Sequence, residues 1–227
     1  MKDIELTILM PCLNERESLE FCIGEATSFL EKSGITGEIL IADNNSSDGS
    51  QKLARSLGAR VINIEKRGYG NAIIGGIKAA NGKYIILGDC DGSYDFLNLE
   101  PFVKKLRDGY SLVVGNRFLG GIEKGAMSLS HKIGVPFLSW CARIKFKAPV
   151  GDFHCGLRGF DREKALALGL GCTGMEFSTE IIAKFSLAHE SICEVSAQLR
   201  KDRRSGKSHL RTLPDGLRHL KFILAHK

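Results

Sequence analysis

Short β-branched runs alternate with segments of helical periodicity through the first half of the chain, and the joints between them are brief. Leu6–Met10, Glu38–Ala42, Arg60–Ile64 and Tyr84–Leu87 read as strands. Residues 17–31, 51–57 and 68–80 read as helices, the first with Leu19, Ile23, Ala26 and Leu30 at helical spacing. Parallel strands need a crossover, usually a helix, and this alternation supplies one each time. The pattern predicts a single α/β domain with a mostly parallel, twisted sheet and helices on both faces. Loops that follow parallel strands gather along one edge, where ligands of open sheets sit.

The loop after the fourth run carries the most chemistry. Tyr84–Leu87 stops at Gly88 and delivers Asp89 and Asp91 into Gly88-Asp-Cys-Asp-Gly-Ser93. Side chains of an extended segment repeat every second residue, so both carboxylates can point the same way. Such a pair suits a hard divalent cation, which takes one or two carboxylates and completes its shell with water and substrate phosphates. An acidic surface turn is the plainer alternative. Polar clusters also follow the other strands: Asn14 and Glu15, Asp43, and Arg67 to Gly70. Together these loops can take a nucleotide, with carboxylates for base N–H groups or ribose hydroxyls and a metal plus Arg for a diphosphate. The sequence has no Gly-x-x-x-x-Gly-Lys-Ser/Thr loop, and no Gly-x-Gly-x-x-Gly after the first strand.

Beyond the acidic loop, helices are expected over 99–107, 130–146, 162–168, 176–188 and 213–224, and strands over 111–115 and 192–199. Residues 151–160, with Asp152, His154 and Arg158, read as extended, and 201–209 as a mobile basic loop. The 227 residues fit one domain, with 1–199 as its body and 200–227 as a basic loop and amphipathic helix. That tail, with nine Lys/Arg against two Asp/Glu, carries more than the whole chain's net charge of +6, the rest being slightly acidic. An anionic partner is expected there. No apolar run approaches the length of a bilayer span, and Leu6–Met10 is too short for a signal peptide. Seven scattered cysteines without a Cys-x-x-Cys pair fit reduced thiols and a cytoplasmic protein.

Met10-Pro-Cys-Leu-Asn-Glu15, Ala42-Asp-Asn-Asn-Ser-Ser-Asp-Gly-Ser50, Gly68-Tyr-Gly-Asn-Ala72 and Gly88-Asp-Cys-Asp91 resemble, in order, the signatures of family 2 inverting glycosyltransferases. Asn116-Arg117 and Gly151-Asp-Phe-His-Cys-Gly-Leu-Arg-Gly-Phe160 are similar to the dolichol-phosphate mannose synthase-like branch, which makes polyprenyl-phosphate sugars. The resemblance covers nearly the whole chain. It implies a GT-A type nucleotide-binding domain, a UDP- or GDP-sugar donor, a polyprenyl phosphate acceptor, and Mg²⁺ or Mn²⁺ on Asp89 and Asp91. Pro11, Asn14, Glu15 and Asp43 would hold base and ribose, with Arg67, Gly70, Cys90 and Asp152 also on the donor side. The family's second-strand loop usually has two adjacent acids, whereas Asn44 stands second here. Ser93 takes the place of a common third metal ligand, Gln. Arg203, Arg204 and Lys207 resemble a basic loop that closes over the donor diphosphate. Some members of the branch continue into transmembrane helices beyond the point matching Lys227.

A lipid phosphate is already anionic, so its attack needs cations and no base; Arg117 is the first choice, helped by His131, Lys132 or Arg143. A sugar hydroxyl acceptor would need a carboxylate, with Glu176, Glu180 and Asp152 as candidates. Ser46 and Asp48 read as turn and cap residues, and His154 as a hydrogen-bonded structural histidine. The expected enzyme works at the cytosolic membrane face and takes no nucleic acid. A non-enzymatic module binding anionic membranes or nucleic acid is the rival of a different class.

Overall fold

The structure, a computed structural model, describes residues 4–204 and 212–225. Among these residues seven strands form one sheet: β1 (Leu6–Cys12), β2 (Gly37–Asp43), β3 (Arg60–Asn63), β4 (Tyr84–Leu87), β5 (Leu112–Asn116), β6 (Arg158–Asp161) and β7 (Ile192–Ser196). Their order is β3-β2-β1-β4-β6-β5-β7. All pairings are parallel except those of β6, which runs antiparallel between β4 and β5. The sheet is thus mostly parallel, with one reversed strand that sequence periodicity did not separate from the extended run before it.

Helices cover both faces. They are α1 (Arg16–Ser33), α2 (Ser50–Ser56), α3 (Tyr69–Ala79), α4 (Glu100–Arg107), α5 (Arg117–Gly120), α6 (Leu129–Phe146), α7 (Arg162–Ala167), α8 (Phe177–Leu187) and α9 (Thr212–Ala225). The alternation along β1 shows why: Ile8 and Met10 join Leu19, Ile23 and Phe102 in one core, while Leu9 joins Ile73, Ile77 and Phe177 in the other. α1 ends at Gly34 in the left-handed conformation, whose N–H caps the Leu30 carbonyl at 3.1 Å.

The first strand extends two residues beyond its expected end at Met10. β1 runs through Pro11 to Cys12, pairing with β2 along its whole length. Pairing with β4 stops at Leu9↔Leu87, and Leu9 turns its carbonyl to that side to accept from Gly88 N–H at 3.1 Å. Two residues on, Pro11 faces the same side and has no N–H to carry that ladder further, so it ends there while the pairing with β2 continues. The change of direction in strand order between β1 and β4 leaves a crevice at their carboxyl ends, where the acidic loop emerges.

The last helix, expected to be amphipathic, does not bury its leucines as a face. α9 packs on α6 and α8 through Asp215, His219, Phe222 and Ile223, whereas Leu217 and Leu224 point outward. The buried set follows i, i+4, i+7, i+8, which puts a histidine and an aspartate on the inner face. The Leu213 side chain and Lys207, both part of the sequence reading, lie outside the described side chains.

Candidate active site

A cleft of about 880 Å³ opens above β1 and β4, within the range of small-molecule sites. Pro11, Glu15, Asn44, Arg67, Asp89, Cys90, Asp91, Ser93 and Arg204 line one part of it; Arg117, His131, Leu138, His154, Asp215, Arg218 and His219 line the rest.

The acidic pair sits at the floor. Tyr69, at the start of α3, donates its hydroxyl to Asp89 Oδ1 at 2.9 Å. Gly156 backs against Asp89: a Cβ there would overlap the Asp89 carboxylate, so only glycine leaves it room. Gly156 N–H donates to the Tyr94 hydroxyl at 2.7 Å, tying that backing segment to the acidic loop. Asp91 is set by Ser93 N–H, which donates to its Oδ1 at 2.9 Å. Burial, and then the charge of Asp91, push the Asp89 carboxyl up to about 6. Arg158, fully buried and held by the Cys155, Ser178 and Phe153 carbonyls, partly offsets this. A carboxylate that resists ionisation beside another carboxylate gains from a cation.

The donor set fits a divalent ion of the magnesium type. Two carboxylates converge, and among the described residues no group of three His, Cys, Asp or Glu forms a closed cage. That leaves the remaining ligand positions to water and phosphate, the preference of Mg²⁺ and Mn²⁺. Ser93 lines the cleft and its N–H is taken by Asp91.

Residues 200–204 strap the acidic loop. Arg200 N–H donates to the Ser93 carbonyl at 2.8 Å and Arg203 N–H to the Asp91 carbonyl at 2.9 Å. The Arg200 guanidinium pairs with Glu25 and Asp95, at 2.8 and 2.7 Å. Arg204 reaches into the cleft, 2.8 Å from Glu15 Oε1 and 3.1 Å from Asp91 Oδ2, and also pairs with Asp202. Burial pushes Glu15 up to about 7, against the pull of Arg204. The described part of the loop is therefore strapped down, not free. Arg203 does not line the cleft: it stacks on Phe21, 3.7 Å above the ring. Adjacent residues of an extended segment point opposite ways, which is why Arg204 enters and Arg203 leaves.

Several other expected ligands have structural partners. Asn14 adopts φ 56° and clamps the 46–47 turn, accepting from Ser47 N–H at 2.8 Å. Asn44 bridges the Ile64 and Lys66 carbonyls and takes Gly68 N–H at 2.7 Å. Gly70 does not face the cleft; its N–H donates to Thr173 O at 3.0 Å, and a Cβ would overlap the Cys172 carbonyl. Cys90 lines the cleft with its thiol on the Pro11 carbonyl at 3.1 Å. Asp43 is fully buried; Ser46 N–H and Gln51 Nε2 hold its Oδ2 at 3.0 and 2.7 Å, while Oδ1 has no hydrogen-bond partner among the described residues.

On the acceptor side, Asp152 does not line the cleft. It is fully buried and grips Arg117 through two side-chain contacts, at 2.7 and 2.8 Å. Arg117 still lines the cleft, as does His131, whereas exposed Lys132 and Arg143 do not. Glu180 is neither solvated nor available: it is buried and accepts from Gly171 and Cys172 N–H at 2.9 and 2.8 Å. Glu176 lies outside the lining, with its Oε2 4.0 Å from Arg218. Tyr69, Tyr94 and Asp215 went unassigned from sequence, whereas Arg218 and His219, read as the basic side of an amphipathic helix at an anionic membrane, line the cleft. The i, i+4 placement of Asp215 and His219 was the available signal.

His154 and His219 meet edge to face at 4.4 Å, and His219 Nδ1 lies 2.8 Å from the Thr179 hydroxyl. Burial holds His154 well below its usual range and pulls His219 down to about 4. A histidine that stays neutral when folded contributes stability above the unfolded value near 6.5; that stability is lost as pH falls toward the folded value. His219→Gln should therefore flatten the decline between pH 6.5 and 4. Urea unfolding should show the wild type losing up to about 3 kcal/mol relative to the variant across that window.

The mostly parallel sheet, its strand order and the acidic loop at the β4 end are those of a GT-A type fold. The profile of Glycosyl transferase family 2 matches residues 7–168, and the chain belongs to that family. It is 34% identical over 223 residues to the low-salt glycan biosynthesis hexosyltransferase Agl6 of Haloferax volcanii, covering 97% of this chain and 53% of that protein. The chain thus spans about half the length of that relative. It is 28% identical over 159 residues to the dolichyl-phosphate hexose transferase of the same organism, covering 70% of this chain and 67% of that protein. Glucosyl-3-phosphoglycerate synthase from Mycobacterium tuberculosis, solved with Mn²⁺, UDP and glucosyl-3-phosphoglycerate, superposes with a TM-score of 0.75 at 20% identity. That match covers 96% of this chain and 79% of the other, and it shows the shared fold.

Proposed function

We propose that the chain transfers a hexose from a UDP- or GDP-sugar to a polyprenyl phosphate at the cytosolic face of a membrane, with inversion at the anomeric carbon. The observation that carries this reading is one cleft with Asp89 and Asp91 in one part and Arg117 and His131 in the other. Of the carboxylates considered as a base, Asp152 and Glu180 are fully engaged elsewhere. A reaction without a base suits an acceptor that is already anionic.

Pro11 to Leu13, Glu15 and Asn44 would surround the nucleoside, with Asp43 buried behind them and outside the lining. Asp89 and Asp91 would hold Mg²⁺ or Mn²⁺, whose charge offsets that growing on the leaving diphosphate. Arg204, now on Asp91 and Glu15, is within reach to pair with the same diphosphate. Arg117 keeps Asp152 on Nε and Nη2 and would offer Nη1 to the acceptor. A phosphate oxygen forms the new bond to the anomeric carbon as the bond to the diphosphate oxygen breaks, and the electron pair leaves with the nucleoside diphosphate. The nucleic-acid alternative is weakened because Arg200 and Arg204 are paired with carboxylates.

Calorimetric titration with UDP and with GDP, each with Mn²⁺ and with EDTA, tests the donor half. One nucleotide should bind, and only with the metal. Folded protein that binds neither would sink the proposal. Transfer to a sugar but not to polyprenyl phosphate would favour the hydroxyl acceptor, with Asp215 as the cleft carboxylate to examine.

A further inference from the structure

α6 turns one face to the cleft and another to solvent, and the second is apolar. Ser130, His131, Gly134, Val135 and Leu138 line the cleft. Leu129, Ile133, Phe137, Trp140 and Ile144 form a continuous outer stripe at spacings of four, four, three and four, each between 53% and 74% exposed. Aromatic and aliphatic side chains this large are rarely left in water along a whole helix. The neighbouring α9 adds a shallow groove lined by Leu217, Leu220 and Leu224.

The charges around this face share one sign. Lys132, Arg143 and Lys145 on α6, Lys147 just beyond it, and Arg218 and Lys221 on α9 are exposed. α6 has no acidic residue, and Asp215, the one acid of α9, is buried. A second copy docked face to face would set these cations against each other. An anionic bilayer would attract them while taking the stripe into its acyl boundary, with Trp140 at the depth that Trp prefers. Among the described residues no helix is long and apolar enough to cross a membrane, so α6 would lie along the surface.

We propose that the outer face of α6, extended by α9, docks on an anionic membrane, so that the cleft beside His131 and Leu138 opens at the lipid surface. This rests on the polyprenyl-phosphate reading above: an acceptor could leave its chain in the bilayer while its phosphate reaches Arg117. The docking face differs from the basic segment, whose described arginines are engaged over the acidic loop or on Phe21.

Trp140 is the only tryptophan of the chain, so its fluorescence reports on the stripe directly. With vesicles of phosphatidylcholine and phosphatidylglycerol, emission should shift to the blue and be quenched by brominated acyl chains. Phosphatidylcholine alone, or high salt, should weaken the effect. Phe137→Ser/Ile133→Ser, exposed positions outside the cleft, should lower partitioning about tenfold or more. That variant should keep full transfer to a short, water-soluble prenyl phosphate and lose transfer to a long one embedded in vesicles. Unchanged emission with anionic vesicles would overturn the proposal, as would a lipid-free dimer that shields Trp140. Insertion of Trp140 without transfer to either acceptor would leave the docking face standing and remove the acceptor reading instead.

Discussion

Asp91→Ala should lower kcat/KM for sugar transfer by about 10³-fold while the protein stays folded. The loss is large because Asp91 is one of only two carboxylates converging at the cleft floor, and no third His, Cys, Asp or Glu completes the group among the described residues. The fold survives because the Asp91 side chain has few structural duties: it accepts from Ser93 N–H and pairs with Arg204. Arg204 retains Glu15 and Asp202 when Asp91 is gone. Removing the carboxylate also relieves the repulsion that raises the Asp89 pKa. The stability change should thus stay within about 1 kcal/mol, typical of a partly exposed ion pair. Initial rates with saturating Mn²⁺, read beside a urea melt, separate the two effects. A variant within tenfold of the wild type would mean that diphosphate charge is managed by Arg204 and its neighbours without this carboxylate.

The acidic loop was legible because its chemistry is local: two carboxylates two residues apart, after a run too short and β-branched to be a helix. Most element boundaries in the first half of the chain were legible to within two residues for the same reason, since periodicity and Gly or Pro punctuation act over a few residues. The contacts that were not legible are set by how the chain folds back on itself and not by local pattern. Asp152 meets Arg117 only because the segment before β6 crosses under the end of β5. Glu180 looked like any charged residue on a helix until the 171–172 turn folded onto it. Arg203 and Arg204 are alike in composition, and only the strap over the acidic loop sends one to Phe21 and the other to Asp91. The stripe on α6 shows the limit most clearly. Its spacing is that of a core-facing helix, yet Leu129, Ile133 and Phe137 face outward, because the sheet is already covered by the opposite side of α6 through Ala142 and Phe146.

Asp152→Ala should cost about 3–5 kcal/mol, the penalty for stranding one charge of a buried pair. Arg117 is 8% exposed, and Asp152 accepts from its Nε, Nη2 and backbone N–H, as well as from His154 N–H at 3.3 Å. Nearby, Arg158 is buried as well, so the alanine variant would leave two guanidinium groups in the interior with one fewer carboxylate. For a domain of this size the melting temperature should fall by roughly 10 °C. Stability alone cannot tell a structural pair from one that serves the acceptor, so the informative partner is Arg117→Met/Asp152→Leu. Replacing both charges with apolar side chains removes the stranded cation and should recover most of the lost stability. It removes the acceptor's cation too, so transfer to polyprenyl phosphate should remain depressed by about 10²-fold or more. A double variant that is stable and fully active would make the pair a structural strut and return the acceptor phosphate to His131 and Arg218; one that is stable and inactive would assign it to Arg117.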